Sequence, residues 1–189
     1  MKPLPVSYRE EKTEPHTLQV EVEAPQYCPR YEAHAVKDVK IAPSPAWLRR
    51  RLSLVGVSAI SNMVDITNYV MMAYGQPLHC FDADMIKGGK IVVKTLPEGT
   101  PFVTLDGEER KLSERDLAIC NAEEPMCIAG VLGGKGSGTY DTTRDILFES
   151  AYFHPTWVRK SARRHGLNTD ASFRFERGID PDGQLYALK

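Results

Sequence analysis

Apolar positions along the chain recur with two spacings. Trp47, Leu48, Leu52 and Val55 are separated by helical turns; Ser44-Pro45 in front supplies an N-cap and a proline at the first helical position, and Gly56 behind supplies a stop. Arg49, Arg50 and Arg51 take the remaining surface of that helix. VDITNYVMMAYG repeats the pattern, with Asp65 near its start, Val64, Asn68, Met71 and Met72 on one side, and Gly75 as its end. The spacing then shortens. KIVVKTL, FVTLDGEERKL, DLAICN, PMCIAGVL and DILFESAYF are short, rich in Val, Ile and Thr, and read as strands. Asp106-Gly107 and Glu123-Glu124-Pro125 read as the turns between them. A further short strand is expected at Val20 and Val22, after a Pro- and Glu-rich segment. His154-Pro155-Thr156 opens a helix that carries Arg159, Lys160, Arg163 and Arg164 and stops at Gly166, and Asp180-Pro181 opens a last one. Helices flanking a hairpin-rich middle predict an α+β fold with a mixed, largely antiparallel sheet, because the repeated strand–helix alternation of a doubly wound sheet is missing.

Composition narrows the function classes. The 189 residues are 42% hydrophobic and 26% charged, a globular balance long enough to bury a substantial core. A net charge of −1 creates no general field for nucleic acid, so RNA contact is expected only from local patches, and DNA binding is not expected. No apolar run reaches the roughly 18 residues of a membrane span, and MKPLPVSYREEKTEP has no signal core. Cys28, Cys80, Cys120 and Cys127 form no C-x-x-C pair and have no histidine at zinc-finger spacing; they are expected to be reduced thiols of a cytoplasmic protein without a metal site. The chain stops a turn or two into its last helix, which suggests a piece of a longer protein.

Four places carry candidate chemistry. AGVLGGKGSG lacks the Walker pattern, since Ala129 stands where the first glycine belongs and Gly136 where Ser or Thr belongs; it remains a plain loop or a ligand-facing one. His79, in GQPLHCFD, is expected on a rigid turn between Gly75, Pro77 and the following strand, and is either structural or functional. Glu149 alternates in phase with Leu147 and Ala151, so it either lies buried with a partner or ligand, or forms a rim ion pair. In RRHGLNTDASFRFERGID, residues 163–180, Thr169-Asp170-Ala171-Ser172 after a helix stop fits an N-cap and turn and the arginines fit a solvated face, but Phe173 and Phe175 alternate with Arg174 and Glu176, which reads as an extended segment with a core face and a polar face.

Taken together, SPAWLRRRL, NMVDITNYVMMAYGQPLHCFD, IAGVLGGKGSG, ILFESAYFHP and ARRHGLNTDASFRFERGID, in this order, resemble the B3/B4 module of the bacterial phenylalanyl-tRNA synthetase β subunit. The resemblance covers residues 27–189 and leaves 1–26 as a connecting segment. It implies an editing domain that hydrolyses tyrosine mischarged onto tRNA(Phe). His79, Glu149 and Thr169 are implied as catalytic residues, and Gly133, Glu149 and Ala171 as substrate-binding ones. No cofactor is implied for this domain, ATP and Mg2+ belonging to aminoacylation by the complete synthetase. The implied partners are the tRNA(Phe) 3′ end carrying tyrosine and an α subunit in an α2β2 assembly. A structural, tRNA-binding module without hydrolysis and a small-molecule binding domain are the rival readings. The chemistry is intelligible: a pocket for phenylalanine rejects an added hydroxyl only about a hundredfold, whereas a second site that hydrogen-bonds the phenol does better. Glu149 is the expected reader of that hydroxyl, Ala171 leaves room for the ring, His79 and Thr169 orient water and ester, and the Gly133 loop offers N–H groups. An ordinary imidazole pKa near 6.5 leaves general-base catalysis by His79 open.

Overall fold

The computed structural model describes residues 18–189; the Pro- and Glu-rich segment before them lies outside the described residues. Three sheets and five α-helices follow one another as β1 (Gln19–Val22), β2 (Arg30–Val36), α1 (Ala46–Leu54), α2 (Asn62–Tyr74), β3 (Leu78–Asp82), β4 (Lys90–Thr95), β5 (Thr100–Val103), β6 (Glu109–Leu112), β7 (Leu117–Cys120), β8 (Pro125–Ile128), β9 (Leu132–Gly133), β10 (Ile146–Tyr152), α3 (Pro155–Arg164), α4 (Asp170–Phe175) and α5 (Gln184–Leu188). The large sheet has the order β1-β4-β7-β8-β9, a second has β2-β10-β3, and β5-β6 is a hairpin. Among the described residues only the β1–β4 pair is parallel, so the expected mixed, largely antiparallel α+β fold is found. The hairpin turns at Gly107, whose φ of 84° is cheap only for glycine.

The core runs between the two larger sheets. Phe81, Ile91, Val93, Ile119, Ile128 and Phe153 are its most buried large residues. β10 is the central strand of its sheet and is buried on both faces, with Leu147 and Ala151 in the core cluster and Ser150 fully buried on the opposite side. α2 ends as expected at Gly75 in the left-handed conformation. The backbone then continues directly into β3, so His79 is held by a strand ladder and not by a turn.

Three local expectations fail for identifiable reasons. Ser44 does not cap α1; its hydroxyl donates to the buried Asp65 at 2.5 Å, and the helix begins at Ala46 with Leu48 and Leu52 inward and Trp47 and Val55 outward. The last helix begins at Gln184, because the Asp180 carboxylate accepts from the Asp182 N–H and holds a turn instead. The alternation of Phe173 and Phe175 lies on a helix, not an extended segment, and Thr169-Asp170-Ala171-Ser172 is its N-cap and first turn. Thr169 Oγ1 accepts from the Ser172 N–H at 3.0 Å and Ser172 Oγ from the Thr169 N–H at 2.9 Å, a reciprocal cap that starts α4. Residues two apart lie nearly opposite on a helix as well as on a strand. Phe175 therefore packs on Phe153 at 5.1 Å in the core, while Phe173 is outside beneath the Arg177 guanidinium at 3.5 Å.

The acids and arginines of residues 163–180 do not simply brace one another. Arg174–Asp170 and Arg177–Glu176 are exposed pairs. Arg164 instead reaches Asp116, a buried carboxylate just ahead of β7. Asp116 also accepts from Ser161 Oγ at 2.6 Å, His165 Nε2 at 2.7 Å and the Ser113 N–H at 2.8 Å. Burial pushes its pKa up, but the His165, Ser161 and Ser113 hydrogen bonds outweigh it and hold the carboxyl below its ordinary value. This cluster clamps α3, and with it the connection to α4, onto the large sheet.

Candidate functional site

Antiparallel register sets the centre of the site. β10 pairs with β3 so that Glu149 lies directly opposite His79, and with β2 so that Glu149 lies opposite Ala33. Side chains of directly paired residues share one face of a sheet. Across from them stand the loop through Gly133 and the cap of α4, with Asn68 and Met71 of α2 closing another wall. The result is a cavity of about 280 Å3 whose lining includes His79, Gly133, Glu149, Thr169 and Ala171, all five residues singled out from the sequence. That volume is at the small end of the range for ligand pockets, the size of one amino acid rather than a nucleotide.

Glu149 is 5% exposed. Burial raises its pKa to about 7, and a hydrogen bond from Tyr31 works against that rise. The Tyr31 hydroxyl donates to Oε2 at 2.6 Å, and Oε1 receives no hydrogen bond among the described residues. His79 is neutral over the physiological range, since burial pulls its pKa down to about 4. Its Nε2 is buried without a hydrogen-bond partner among the described residues, which is uncommon in a folded protein. The imidazole is steadied edge-on against Phe81, 4.4 Å between ring centroids. A pKa of about 4 removes the basis for treating His79 as an ordinary base at pH 7. It suits the ring to accept from, or donate to, a neutral partner.

Gly133 is needed for space, not for backbone freedom. A Cβ there would lie 2.9 Å from both His79 Cε1 and Leu105 Cδ1. In a Gly133→Ala variant the buried imidazole shifts, and a shift of an ångström at a reacting group costs up to about a hundredfold. We expect any turnover supported by this site to fall roughly tenfold or more, with little change in the folded fraction seen by circular dichroism. The glycine-rich loop beyond it takes no part. The N–H groups of Gly134 and Lys135 donate to Met126 and Val103 carbonyls at 2.7 and 3.0 Å, and this loop lines a separate cleft of about 580 Å3 beside the β5–β6 hairpin.

Thr169 is similarly committed. Its hydroxyl donates to the Val131 carbonyl at 2.8 Å while capping α4, so it joins the two walls and keeps one lone pair free for a ligand. Ala171, in the first turn of α4, presents only a methyl group to the cavity. Arg159, Lys160, Arg163 and Arg164 do not line the cavity. Sequence reading missed Tyr31, which is 118 residues from Glu149 and carries no motif; only the β2–β10 pairing brings it there.

Comparison with known proteins gives the family. The B3/4 domain family model matches residues 27–189. The chain is 66% identical over 180 residues to the phenylalanine–tRNA ligase beta subunit of Bacteroides thetaiotaomicron, covering 94% of this chain and 22% of that protein. It is 54% identical over 173 residues to the same subunit of Porphyromonas gingivalis, covering 91% and 21%. The chain thus spans about a fifth of the length of these curated relatives. A crystal structure of an N-terminal fragment of the phenylalanyl-tRNA synthetase beta subunit from Pyrococcus horikoshii superposes with a TM-score of 0.55 at 15% identity, over 85% of this chain and 52% of that one, and shares the fold. With its family model matched over nearly its whole length, this chain belongs to the B3/4 domain family, which its curated relatives carry inside the beta subunit of phenylalanine–tRNA ligase.

Proposed function

We propose that this domain is an editing hydrolase that removes tyrosine from mischarged tyrosyl-tRNA(Phe). The observation that carries the proposal is the buried Glu149 carboxylate directly opposite a buried, unpartnered imidazole in a cavity sized for one amino acid. An acidic acceptor among apolar walls suits a para-hydroxyl on an aromatic ring. Phenylalanine would enter the same space and leave Glu149 Oε1 desolvated without a donor, at about 1–3 kcal/mol or more.

The hydrolysis adds water across the aminoacyl ester and yields free tyrosine and a tRNA with its terminal hydroxyl restored. With Glu149 holding the phenol, the ester lies toward His79 and Thr169. His79 Nε2 binds the attacking water or the ester oxygen; Thr169 offers its remaining lone pair to water. Catalysis then comes from orientation and from polar groups placed before the reaction begins, not from a strong base. The complete protein would pair with an α subunit in an α2β2 synthetase of the cytoplasm, where ATP and Mg2+ serve aminoacylation elsewhere in the assembly.

The direct test is deacylation of tyrosyl-tRNA(Phe) and phenylalanyl-tRNA(Phe) by the assembled synthetase without ATP. The proposal expects the tyrosyl ester to be cleaved at least about a hundredfold faster, a second discrimination added to the roughly hundredfold rejection of a first pocket. No enzyme-dependent cleavage would point instead to a tRNA-binding module without hydrolysis, and equal enzyme-dependent rates for the two esters would overturn the selection of tyrosine.

A further inference from the structure

Tyr31 stands behind Glu149, and no motif or comparison assigns it a role. It extends from β2, where it pairs with Ala151, two register positions from the Ala33–Glu149 pair and on the same face of the sheet, and donates to Oε2 at 2.6 Å. This is the only hydrogen bond Glu149 receives among the described residues. A buried carboxylate with two open oxygens would rotate between partners and accept two donors. One with an oxygen already occupied has a single acceptor left and a defined plane. We infer that Tyr31 is a positioning and specificity residue, whose phenol holds Oε2 so that Oε1 alone reads the hydroxyl of the substrate. The inference rests on the proposed reading of Glu149 and extends it to the residue that orients it.

The surroundings leave this task to Tyr31. The titratable groups facing Glu149 are Tyr31 from β2, His79 from β3, Cys127 from β8 and Cys28 from the segment before β2, with Asp170 of α4 on the same cavity. No cation is among them. Burial pushes the Cys28 thiol up to about 12 and Cys127 well above its ordinary value, so both remain neutral. His79 is neutral as well, its pKa pulled down to about 4. The Tyr31 hydroxyl is itself pushed well above its ordinary pKa by burial and then by the charge on Glu149, so it keeps the proton that it donates. Among these groups it is the one that favours the charged carboxylate, which burial disfavours.

The test uses the assembled synthetase with Tyr31→Phe, Glu149→Gln and the double variant. Phenylalanine keeps the packed ring and removes only the donor. With the donor gone, the carboxyl holds its proton to higher pH, so the acid limb of tyrosyl-tRNA deacylation moves up by roughly one pH unit. Activity near neutral pH then falls about tenfold and recovers toward pH 9, measured against the uncatalysed ester loss. The double variant loses no more than Glu149→Gln alone, because Tyr31 acts through that carboxylate. A loss that is equal at every pH, no loss at all, or additive losses in the double variant would overturn the inference. If Glu149→Gln by itself leaves tyrosyl selectivity intact, the reading of Glu149 fails, an outcome distinguishable from failure of Tyr31 alone.

Discussion

In the Glu149→Gln variant, deacylation of tyrosyl-tRNA(Phe) falls by about two to three orders of magnitude, and the same substitution makes the domain more stable at alkaline pH. The first effect follows from losing a charge-assisted hydrogen bond to the phenol, together with the mismatch that a buried amide N–H2 group creates there. The second follows from the ionisation of the native residue. Its carboxyl has a folded pKa of about 7 against an ordinary 4.5, so between these values the folded state binds more protons than the unfolded one. The stability this group contributes is complete below pH 4.5 and is lost as pH rises through 7. The penalty on the charged form at pH 8 is on the order of 3 kcal/mol. Glutamine does not ionise, so the melting temperature of the 189-residue chain should exceed wild type by several degrees at pH 8 and differ little at pH 4.5. Lost activity with gained stability is the signature of a residue retained for function. A loss of both would make Glu149 a structural residue. Because His79 does not titrate near neutrality, the acid limb of the wild-type rate profile belongs to Glu149. His79→Ala should lower the rate without moving that limb.

Asp116→Ala is the second large effect, and it acts on the fold. The Asp116 carboxylate is completely buried and accepts from Ser161, Arg164, His165 and the Ser113 backbone. Removing it leaves the Ser161 hydroxyl, the His165 ring and the Ser113 N–H without their acceptor, at about 1–3 kcal/mol each, while Arg164, whose side chain is 32% exposed, is left to water. Together these losses are a large part of the roughly 5–15 kcal/mol of an ordinary domain. It should show as a lower urea midpoint with an unchanged slope. Asp170→Ala removes an i,i+4 pair in which the carboxylate is 62% exposed, and should cost no more than about 0.5 kcal/mol. The charges of residues 163–180 are therefore unequal in consequence: the one that matters for stability has its partner outside the stretch, before β7.

Much of the fold can be read from the sequence because its signals are local. Gly75 and Gly107 take positive φ, α2 and β10 carry their own periodicity, and the in-phase placement of Glu149 with Leu147 and Ala151 already points it inward. The alternation of Phe173 and Phe175 misleads because a spacing of two residues over so few positions fits a helix and a strand alike; the reciprocal cap between Thr169 and Ser172 decides it. His79, Gly133, Glu149, Thr169 and Ala171 could be named together only through the resemblance of ordered motifs. Their convergence depends on long-range pairing that no local pattern encodes. Tyr31 and the Asp116 cluster were not legible for the same reason, since their partners lie 118 and between 45 and 49 residues away.

The most direct measurement is a crystal structure of the domain, within its synthetase, bound to a non-hydrolysable tyrosyl ester analogue of the tRNA terminus. The account predicts the phenol oxygen within about 2.5–3.0 Å of Glu149 Oε1, Tyr31 still on Oε2, and the ester beside His79 Nε2. A phenol directed to solvent, or a ring seated elsewhere than between Glu149 and Ala171, would contradict it.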